Sequence, residues 1–592
     1  MQKVLIANRG EIAVRVVRAC RDSGLASVAV YADQDREALH ARLADEAFAL
    51  DGRTPAQTYL AVDKVIAVAS RAGADAVHPG YGFLAENAGF AEAVIDAGMT
   101  WIGPPPQAIR DLGDKTVARQ MAAAVGAPLA AGLSHPVLDV SEIREFIEEN
   151  GLPVLIKAAF GGGGRGMKVV RSLEELKEAF ESAVRESTSA FGRGECFVER
   201  FLEHARHLET QCLADDAGKV VVLSTRDCSL QRRSQKLVEE APAPFLTDAQ
   251  LRSVYDGSKA ILSASGYRNA GTCEFLLAPD GTISFNEVNT RLQVEHPVTE
   301  MITGIDVVRE QLRLAAGGLL DYDDPPLYGH AIEFRLNGED AGNGFLPSPG
   351  TLRRWRPPTG PGVRWDGGYE EGDELPAEFD SLLGKLVVFG RDREAALAAA
   401  RRALAEFDVA GIATVLPFDR LIVEHPDFVS APFRVHTRWI EDDFDNVVVP
   451  FVDTSDSPSE PPEERRRLTV EVDGRRLEVK LPASFGGGFA GPAAAPAPSR
   501  RLAAQTLVSE DGSSGNAVTC PMQAIVAKLV ASNGDLVAQG DTVLEVEAMK
   551  MEQPLRAPKS GVVEGLAVEV GDQVQRGQVL CRIVETSDTG EP

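Results

Sequence analysis

At 592 residues, 44% hydrophobic and 25% charged, the chain has room for about three to five globular domains, each with its own core. Its formal charge of −27 excludes a nucleic-acid or anionic-membrane surface, because phosphate binding needs clustered excess Lys and Arg, so an anionic ligand has to meet a local basic pocket. Seven scattered cysteines without a C-x-x-C pair, an opening apolar run too short for a signal peptide, and no membrane-length stretch predict a reduced, soluble, cytoplasmic protein.

Residues 1–113 alternate short buried strands (4–7, 28–31, 76–77) with a helix over 11–22, the pattern of a doubly wound α/β domain. No G-x-G-x-x-G follows the first strand, so a dinucleotide role has no support. Asn8-Arg9-Gly10-Glu11 and His78-Pro79-Gly80-Tyr81-Gly82 follow strand ends and serve equally well as ordinary turns or as ligand loops.

Within residues 114–325, Lys157 ends a strand and leads into Gly161-Gly162-Gly163-Gly164-Arg165-Gly166. Such a run frees backbone N–H groups to face an anion, or serves as a hinge; it is not a Walker A loop, because no Gly-Lys-Ser/Thr follows. Residues 272–277 and 282–287 flank the turn Ala278-Pro279-Asp280-Gly281, a hairpin that brings Glu274 close to opposite Glu287. Like charges facing each other on apolar strands are costly unless solvated or bridged by a divalent cation, and oxygen-only ligation suits Mg2+. Period two along the same strand predicts that Glu287, Asn289, Arg291, Gln293 and Glu295 share one side. The cluster Gln231 to Lys236 can set cations opposite them. Cys196, Cys212 and Cys228 read as buried strand positions rather than a metal site.

Residues 326–445 mix strands (331–336, 386–388) with a helix over 393–407 bearing an Ala-rich packing face. Residues 446–516 read as two linkers, one acidic and Pro/Ser-rich, the other Gly- and Ala-Pro-rich, around a hairpin over 468–481 that turns at Asp473-Gly474. Residues 517–586 repeat themselves at an offset of 37: Pro521 and Pro558, Val526 and Val563, Gly534-Asp535 and Gly571-Asp572, Gly540 and Gly577. Glu547-Ala548-Met549-Lys550-Met551 lies at the joint of the two copies, where a quasi-twofold β-barrel puts an exposed tip.

Ala548-Met549-Lys550-Met551, following Pro521-Met522, resembles the attachment site of biotin carboxyl carrier domains, although Gln523-Ala524 stands where that family usually has Pro-Gly. The resemblance implies biotin attached covalently to Lys550 by a biotin protein ligase. Over the first 440 or so residues, Lys157 with its glycine run, Glu274, Glu287 and residues 289–297 (NTRLQVEHP) resemble the biotin carboxylase branch of the ATP-grasp ligases. The whole chain is similar to the alpha subunits of actinobacterial acyl-CoA carboxylases. The implied fold is multidomain α/β and α+β. It comprises a pre-ATP-grasp domain (1–113), an ATP-grasp domain (114–325) with a glycine-rich lid over about 131–203, and a C-terminal biotin carboxylase domain (326–445). A flexible linker and a flattened all-β barrel carrying biotin complete it.

Carried over by position, the family implies that Lys115, Lys157, Gly162, Gly163, Gly164, Glu199, Leu202 (through its backbone), His207, Gln231, Glu274 and Glu287 contact ATP. Glu274, Glu287 and Asn289 would hold Mg2+ or Mn2+. Lys236, Arg291, Gln293, Val294 and Glu295 would hold bicarbonate, with Glu295 as general base. Tyr81, Arg335 and Asp380 would close the biotin side, Arg335 lying near the phosphates as well. Phe160 and Ser234 depart from the commoner pattern, which has Gly and His there.

The implied activity is carboxylation of biotin with ATP and bicarbonate, through carboxyphosphate, and delivery of carboxybiotin to a separate carboxyltransferase beta subunit. That subunit would carboxylate acetyl- or propionyl-CoA for fatty acid biosynthesis, in a holoenzyme with copies of both subunits. A subunit of a methylcrotonyl-CoA or pyruvate carboxylase is the alternative. A different ATP-grasp ligase leaves the tethered Lys550 unexplained, a lipoyl carrier favours Asp-Lys-Ala at the tip, and a scaffold leaves the carboxylates without purpose.

Overall fold

Buried β-runs alternating with amphipathic helices build the first layer of the chain. In the computed structural model, β1 (Lys3–Ile6), β2 (Ala26–Tyr31), β3 (Glu46–Ala49), β4 (Ala76–His78) and β5 (Thr100–Trp101) form a parallel sheet in the order β3-β2-β1-β4-β5. Period two divides β1 between two cores. Val4 and Ile6 pack with Ile12, Val16 and Val17 of helix α1 (Gly10–Asp22), while Leu5 packs with Val28, Tyr59, Val65 and Phe90. Each such side chain, fully buried, contributes about 1.5–3 kcal/mol. The sheet order reverses between β1 and β4, where doubly wound folds bind ligands. There Asn8 donates its amide to the carbonyls of Pro79 (2.8 Å) and Tyr81 (2.7 Å), joining the two loops singled out above. Gly80, at φ +65°, leaves only 2.8 Å between an added Cβ and the Asn8 amide, so no side chain fits.

The structure describes residues 1–133, 135–137, 139–158, 167–191, 194–452, 465–472, 475–482, 516–522, 524–548, 551–574 and 577–584. Phe160, Gly162, Gly163, Gly164, Lys550 and most of both linker stretches lie outside them.

A small antiparallel sheet follows, β6 (Val154–Ala158), β7 (Met167–Val170) and β8 (Cys196–Arg200) in the order β7-β6-β8. It shares a core of Ile156, Val170 and Val198 with the helices Val140–Asn150 and Leu176–Phe191. Next, β9 (Arg206–Ala214), β10 (Val220–Arg232), β11 (Gln235–Ala241), β12 (Asn269–Leu277), β13 (Ile283–Asn289) and β14 (His330–Asn337) join strands Leu382–Gly390 and Val363–Gly367. The result is one antiparallel sheet in the order β13-β12-β9-β10-β11-β14, then Leu382–Gly390 and Val363–Gly367. Stretches on both sides of residue 325 thus share one sheet, and Met1–Pro450 is one compact unit. Cys196, Cys212 and Cys228 are buried on β8, β9 and β10.

The β12–β13 hairpin pairs Glu274 with Glu287: the turn sets Leu277 opposite Ile283 and Phe275 opposite Phe285, and a bulge between Phe275 and Glu274 then shifts the register by one so that the two carboxylates face each other. Arg233 (φ +47°) and Ser234 (φ +63°) form the two-residue turn between β10 and β11, which places Ser234 at an exposed tip. One expectation fails. The strand stops at Asn289, so Arg291, Gln293 and Glu295 do not continue its alternation. The Thr290 amide turns to Glu86 (3.2 Å), and Glu295 caps the helix His296–Thr303, which Pro297 at its start favours over extension of the sheet.

The second unit, Phe451–Pro592, holds the hairpin Arg465–Val472 with Arg475–Pro482, three residues longer at its start than the reading over 468–481. It also holds two four-stranded sheets. The 37-residue offset recurs in their bonding. Gly534 donates to Val563 O as Gly571 donates to Val526 O (both 2.8 Å), and Gly540 to Ala557 O (2.9 Å) as Gly577 to Cys520 O (2.7 Å). Asp535 and Asp572 each accept the amide three residues earlier, from Ser532 and Glu569, at 2.8 Å. Val526, Val546, Val563, Val574 and Ile583 fill the interior. Ala548 pairs with Met551, leaving two residues to connect their strands.

Candidate active site

Adjacent strands of the large sheet set carboxylates in a row. Glu287 lies opposite Glu274, Glu274 opposite Glu209, and Glu209 opposite Arg226. The Lys236 ammonium, from β11, draws the carboxylates together, meeting Glu209 at 2.6 Å, Glu274 at 2.9 Å and Glu295 at 2.7 Å. Beneath it the fully buried Arg226 donates to Glu209 (2.5 Å), Gln211 (2.8 Å), Thr299 (3.0 Å) and Thr272 (3.2 Å). Arg335 on β14 bridges Glu239 (2.5 Å) and Glu295 (2.8 Å).

Burial alone raises a carboxyl pKa, and these cations reverse it. Glu295 is fully buried, yet Lys236, Arg335 and Arg226 hold it well below the usual carboxylate range. Glu274 is held low against burial by Lys236 and His207, whose Nε2 lies 3.2 Å away. Burial lowers Lys236, but Glu209, Glu274 and Glu295 keep it well above its ordinary value. Glu239 goes the other way: burial lifts it, Arg335 opposes that and Glu295 adds to it, leaving it near 7.

Arg291 is held by Glu86 (2.9 Å), the Leu292 carbonyl (3.1 Å), Gln293 Oε1 (3.1 Å) and Asn289 Oδ1 (3.0 Å). Because Gln293 Oε1 accepts from Arg291, its buried Nε2 is the donor, and that donor has no partner. An orphaned N–H beside a guanidinium fits a small oxyanion. Lys385, fully buried, donates to the Val294 carbonyl (2.9 Å) and pairs with Glu11 (3.2 Å), which also accepts from the Tyr81 hydroxyl. Asp380 is half-buried just before strand Leu382–Gly390.

Lys115 meets Glu287 (2.9 Å) and Lys157 meets Glu199 (2.7 Å), which Arg119 also contacts (2.9 Å). Lys115, Lys157 and Arg119 line a 210 Å³ cavity with Ala130, Leu133 and Phe197. Cations at the mouth of an apolar slot suit a nucleotide. Leu202 is buried against Ala130, Ala205 and Leu276, and Gln231 donates to Cys228 O (3.0 Å).

Glu274 and Glu287 offer oxygens from paired strands to a divalent cation, and Lys236 and Lys115 lie against them at 2.9 Å each. The residues fit magnesium. Asn289 donates its amide to Glu274 (2.7 Å) and has only Oδ1, shared with Arg291, to offer a metal.

The structure thus gathers Lys236, Glu274, Glu295, Arg335, Asn289, Arg291 and His207 in one network. It adds Glu209, Arg226, Glu86, Arg119 and Lys385, which the sequence reading did not single out. The alternation His207, Glu209, Gln211 on an otherwise apolar strand was an available clue to Glu209. The remainder depends on contacts between distant segments.

Comparison with known proteins agrees with this arrangement. Residues 1–109 match the family described as biotin carboxylase, N-terminal domain, and 114–322 match carbamoyl-phosphate synthase L chain, ATP binding domain. Residues 333–442 match biotin carboxylase C-terminal domain, and 515–583 match biotin-requiring enzyme. The chain is 56% identical to the biotin-dependent acyl-coenzyme A carboxylase alpha3 subunit of Mycobacterium leprae, over 98% of both chains. It is 36% identical to the propionyl-CoA carboxylase alpha chain of Ruegeria pomeroyi, over 98% of this chain and 99% of that one. Among solved structures, the biotin carboxylase domain dimer of Hydrogenobacter thermophilus 2-oxoglutarate carboxylase, complexed with MgADP, ADP and bicarbonate, is 42% identical. It covers 74% of this chain and 97% of that one, with a TM-score of 0.70. The chain belongs to the biotin-dependent carboxylase alpha subunits, which join a biotin carboxylase to a biotin-carrier domain in one polypeptide.

Proposed function

We propose that this chain carboxylates biotin carried on its own Lys550, using MgATP and bicarbonate, and hands the carboxyl group to a separate carboxyltransferase subunit acting on acetyl- or propionyl-CoA. The observation that carries the reading is Lys236 held by Glu209, Glu274 and Glu295, next to the unpartnered Gln293 amide and Arg291. The acyl-CoA assignment rests on the likeness to the Mycobacterium leprae subunit.

Glu274 and Glu287 would hold magnesium, which would supply charge offsetting the phosphate oxygens. Biotin would supply the ureido nitrogen that takes up the carboxyl group, its N–H proton passing to the phosphate released from carboxyphosphate. The chain does the rest. Lys115 and Lys157 bind the nucleotide phosphates at the mouth of the 210 Å³ cavity. Arg291, Gln293 Nε2 and Lys236 bind bicarbonate. While Lys236 and Arg335 rest on Glu295, that carboxylate is a weak base. When Lys236 turns its charge to bicarbonate, Glu295 gains basicity and takes the bicarbonate proton, and the freed oxygen attacks the γ-phosphorus of ATP. Carboxyphosphate and ADP result, and carboxyphosphate then divides into CO2 and phosphate. Arg291 and Arg335 present fixed donors to the oxygens on which charge develops.

Glu295→Gln and Arg291→Ala are expected to abolish bicarbonate-dependent ATP cleavage while largely sparing ATP binding. Near-normal turnover in either would overturn the assignment. Assay of the copurified partner with acetyl-, propionyl- and methylcrotonyl-CoA and with pyruvate tests the acceptor.

A further inference from the structure

Outside the Lys236 network, in the turn between Leu202 and His207, His204 meets His436 and Asp443 with donor atoms that lie within 4.8 Å of one another. His204 Nδ1 lies 3.1 Å from His436 Nε2, which lies 2.9 Å from Asp443 Oδ2, and the imidazole rings stand at 89°. His436 Nε2, with at most one hydrogen, therefore cannot act as donor in both contacts. A proton shared among them satisfies one contact at a time, whereas a cation at the centre takes all three lone pairs. With Zn–N near 2.0–2.1 Å, neighbouring ligands on a tetrahedral ion stand about 3.3 Å apart, close to the spacings here.

Hydrogen bonds from the Arg206 guanidinium and the Thr437 amide fix the two segments. Arg206 donates to the carbonyls of Phe433 (3.1 Å) and Val435 (2.9 Å), and the Thr437 amide donates to Ala205 O (3.0 Å). His436 is buried, while His204 and Asp443 are exposed, so an ion has access from solvent. Glu441 and Asp442 add negative charge nearby, Asp442 being paired with Arg438 (3.0 Å). The other convergent sets, His207–Glu209–Glu274 and Glu209–Cys228–Glu295, already surround Lys236. This one has no lysine.

We propose that His204 Nδ1, His436 Nε2 and Asp443 bind a Zn2+ ion, with water in the fourth position. The ion would tie the turn between β8 and β9 to the segment 433–443. On binding, the His436 proton resides on Nδ1, and the long contact from the Arg438 amide (3.3 Å) opens.

The test uses full-length protein stripped of metal and titrated with zinc chloride against a chromophoric chelator. Wild type is expected to bind one equivalent at micromolar free zinc or below. His204→Ala and Asp443→Asn should each weaken that equivalent at least tenfold, with unchanged melting temperature in the absence of metal. His207→Ala should retain it. Cobalt substitution should give visible tetrahedral absorption that disappears in His204→Ala. Absence of micromolar binding in wild type, wild-type affinity in both His204→Ala and Asp443→Asn, or loss only in His207→Ala would each overturn the site.

Discussion

Lys236 bridges three carboxylates that would otherwise repel one another in a buried space. Lys236→Met is expected to lower bicarbonate-dependent ATP cleavage by about 10²–10³-fold, the usual loss for a donor aimed at developing charge. Without that ammonium the Glu295 pKa rises, so the acid limb of the remaining activity should move to higher pH. An unmoved limb in the pH profile would detach Lys236 from Glu295. Other carboxylates couple the fold itself to pH. Glu274 and Glu295 have depressed pKa values, so their stabilisation is present above the ordinary value of 4.5 and is lost as pH falls toward the folded values. Glu11, raised by burial to about 7 against the opposing Lys385, and Glu239, likewise near 7, contribute fully below 4.5 and lose that contribution as pH rises through 7. The melting temperature should therefore decline from pH 6 to 8, and Glu11→Gln should flatten that decline. Glu274 and Glu287 were legible in the sequence because one short turn joins their strands. Glu209 and Arg226 went unread: a bulge between Val222 and Ser224 shifts the β9–β10 hairpin register, the β9–β12 pairing joins distant segments, and only the alternation His207, Glu209, Gln211 pointed to Glu209.

Among the elements, the antiparallel sheet depends on the buried cation in its middle. Arg226→Met removes one side of a fully buried pair with Glu209 and is expected to cost about 3–5 kcal/mol, read from the denaturant midpoint of the first unit. A loss below about 1 kcal/mol would show that the carboxylate row tolerates its absence. Strand identity was readable wherever alternation was long, as in β12 and β13. It misled beyond Asn289, where polar residues at alternate positions continue although the chain has left the sheet. Local period cannot see the Thr290 amide turning to Glu86, from an element two hundred residues away in sequence. The duplicated barrel was the clearest case of legibility, because identical Gly-Asp turns repeat with identical bonding.

For the whole molecule, division into Met1–Pro450 and Phe451–Pro592 assigns chemistry and carriage to different bodies. Ile583→Ala, which empties the core of the second, is expected to destabilise it by about 2–5 kcal/mol while ATP cleavage supported by free biotin in solution continues. Loss of that cleavage would mean the two bodies do not act separately. Lys550 lies outside the described residues, so its role is reached by chemistry. The most direct measurement is transfer of isotopically labelled bicarbonate onto the purified chain. Wild type should acquire acid-labile label only with MgATP, and avidin should block it. Lys550→Ala should acquire none yet still cleave ATP when free biotin is added, and Glu295→Gln should do neither. Label on Lys550→Ala, or label on wild type without ATP, would contradict the account.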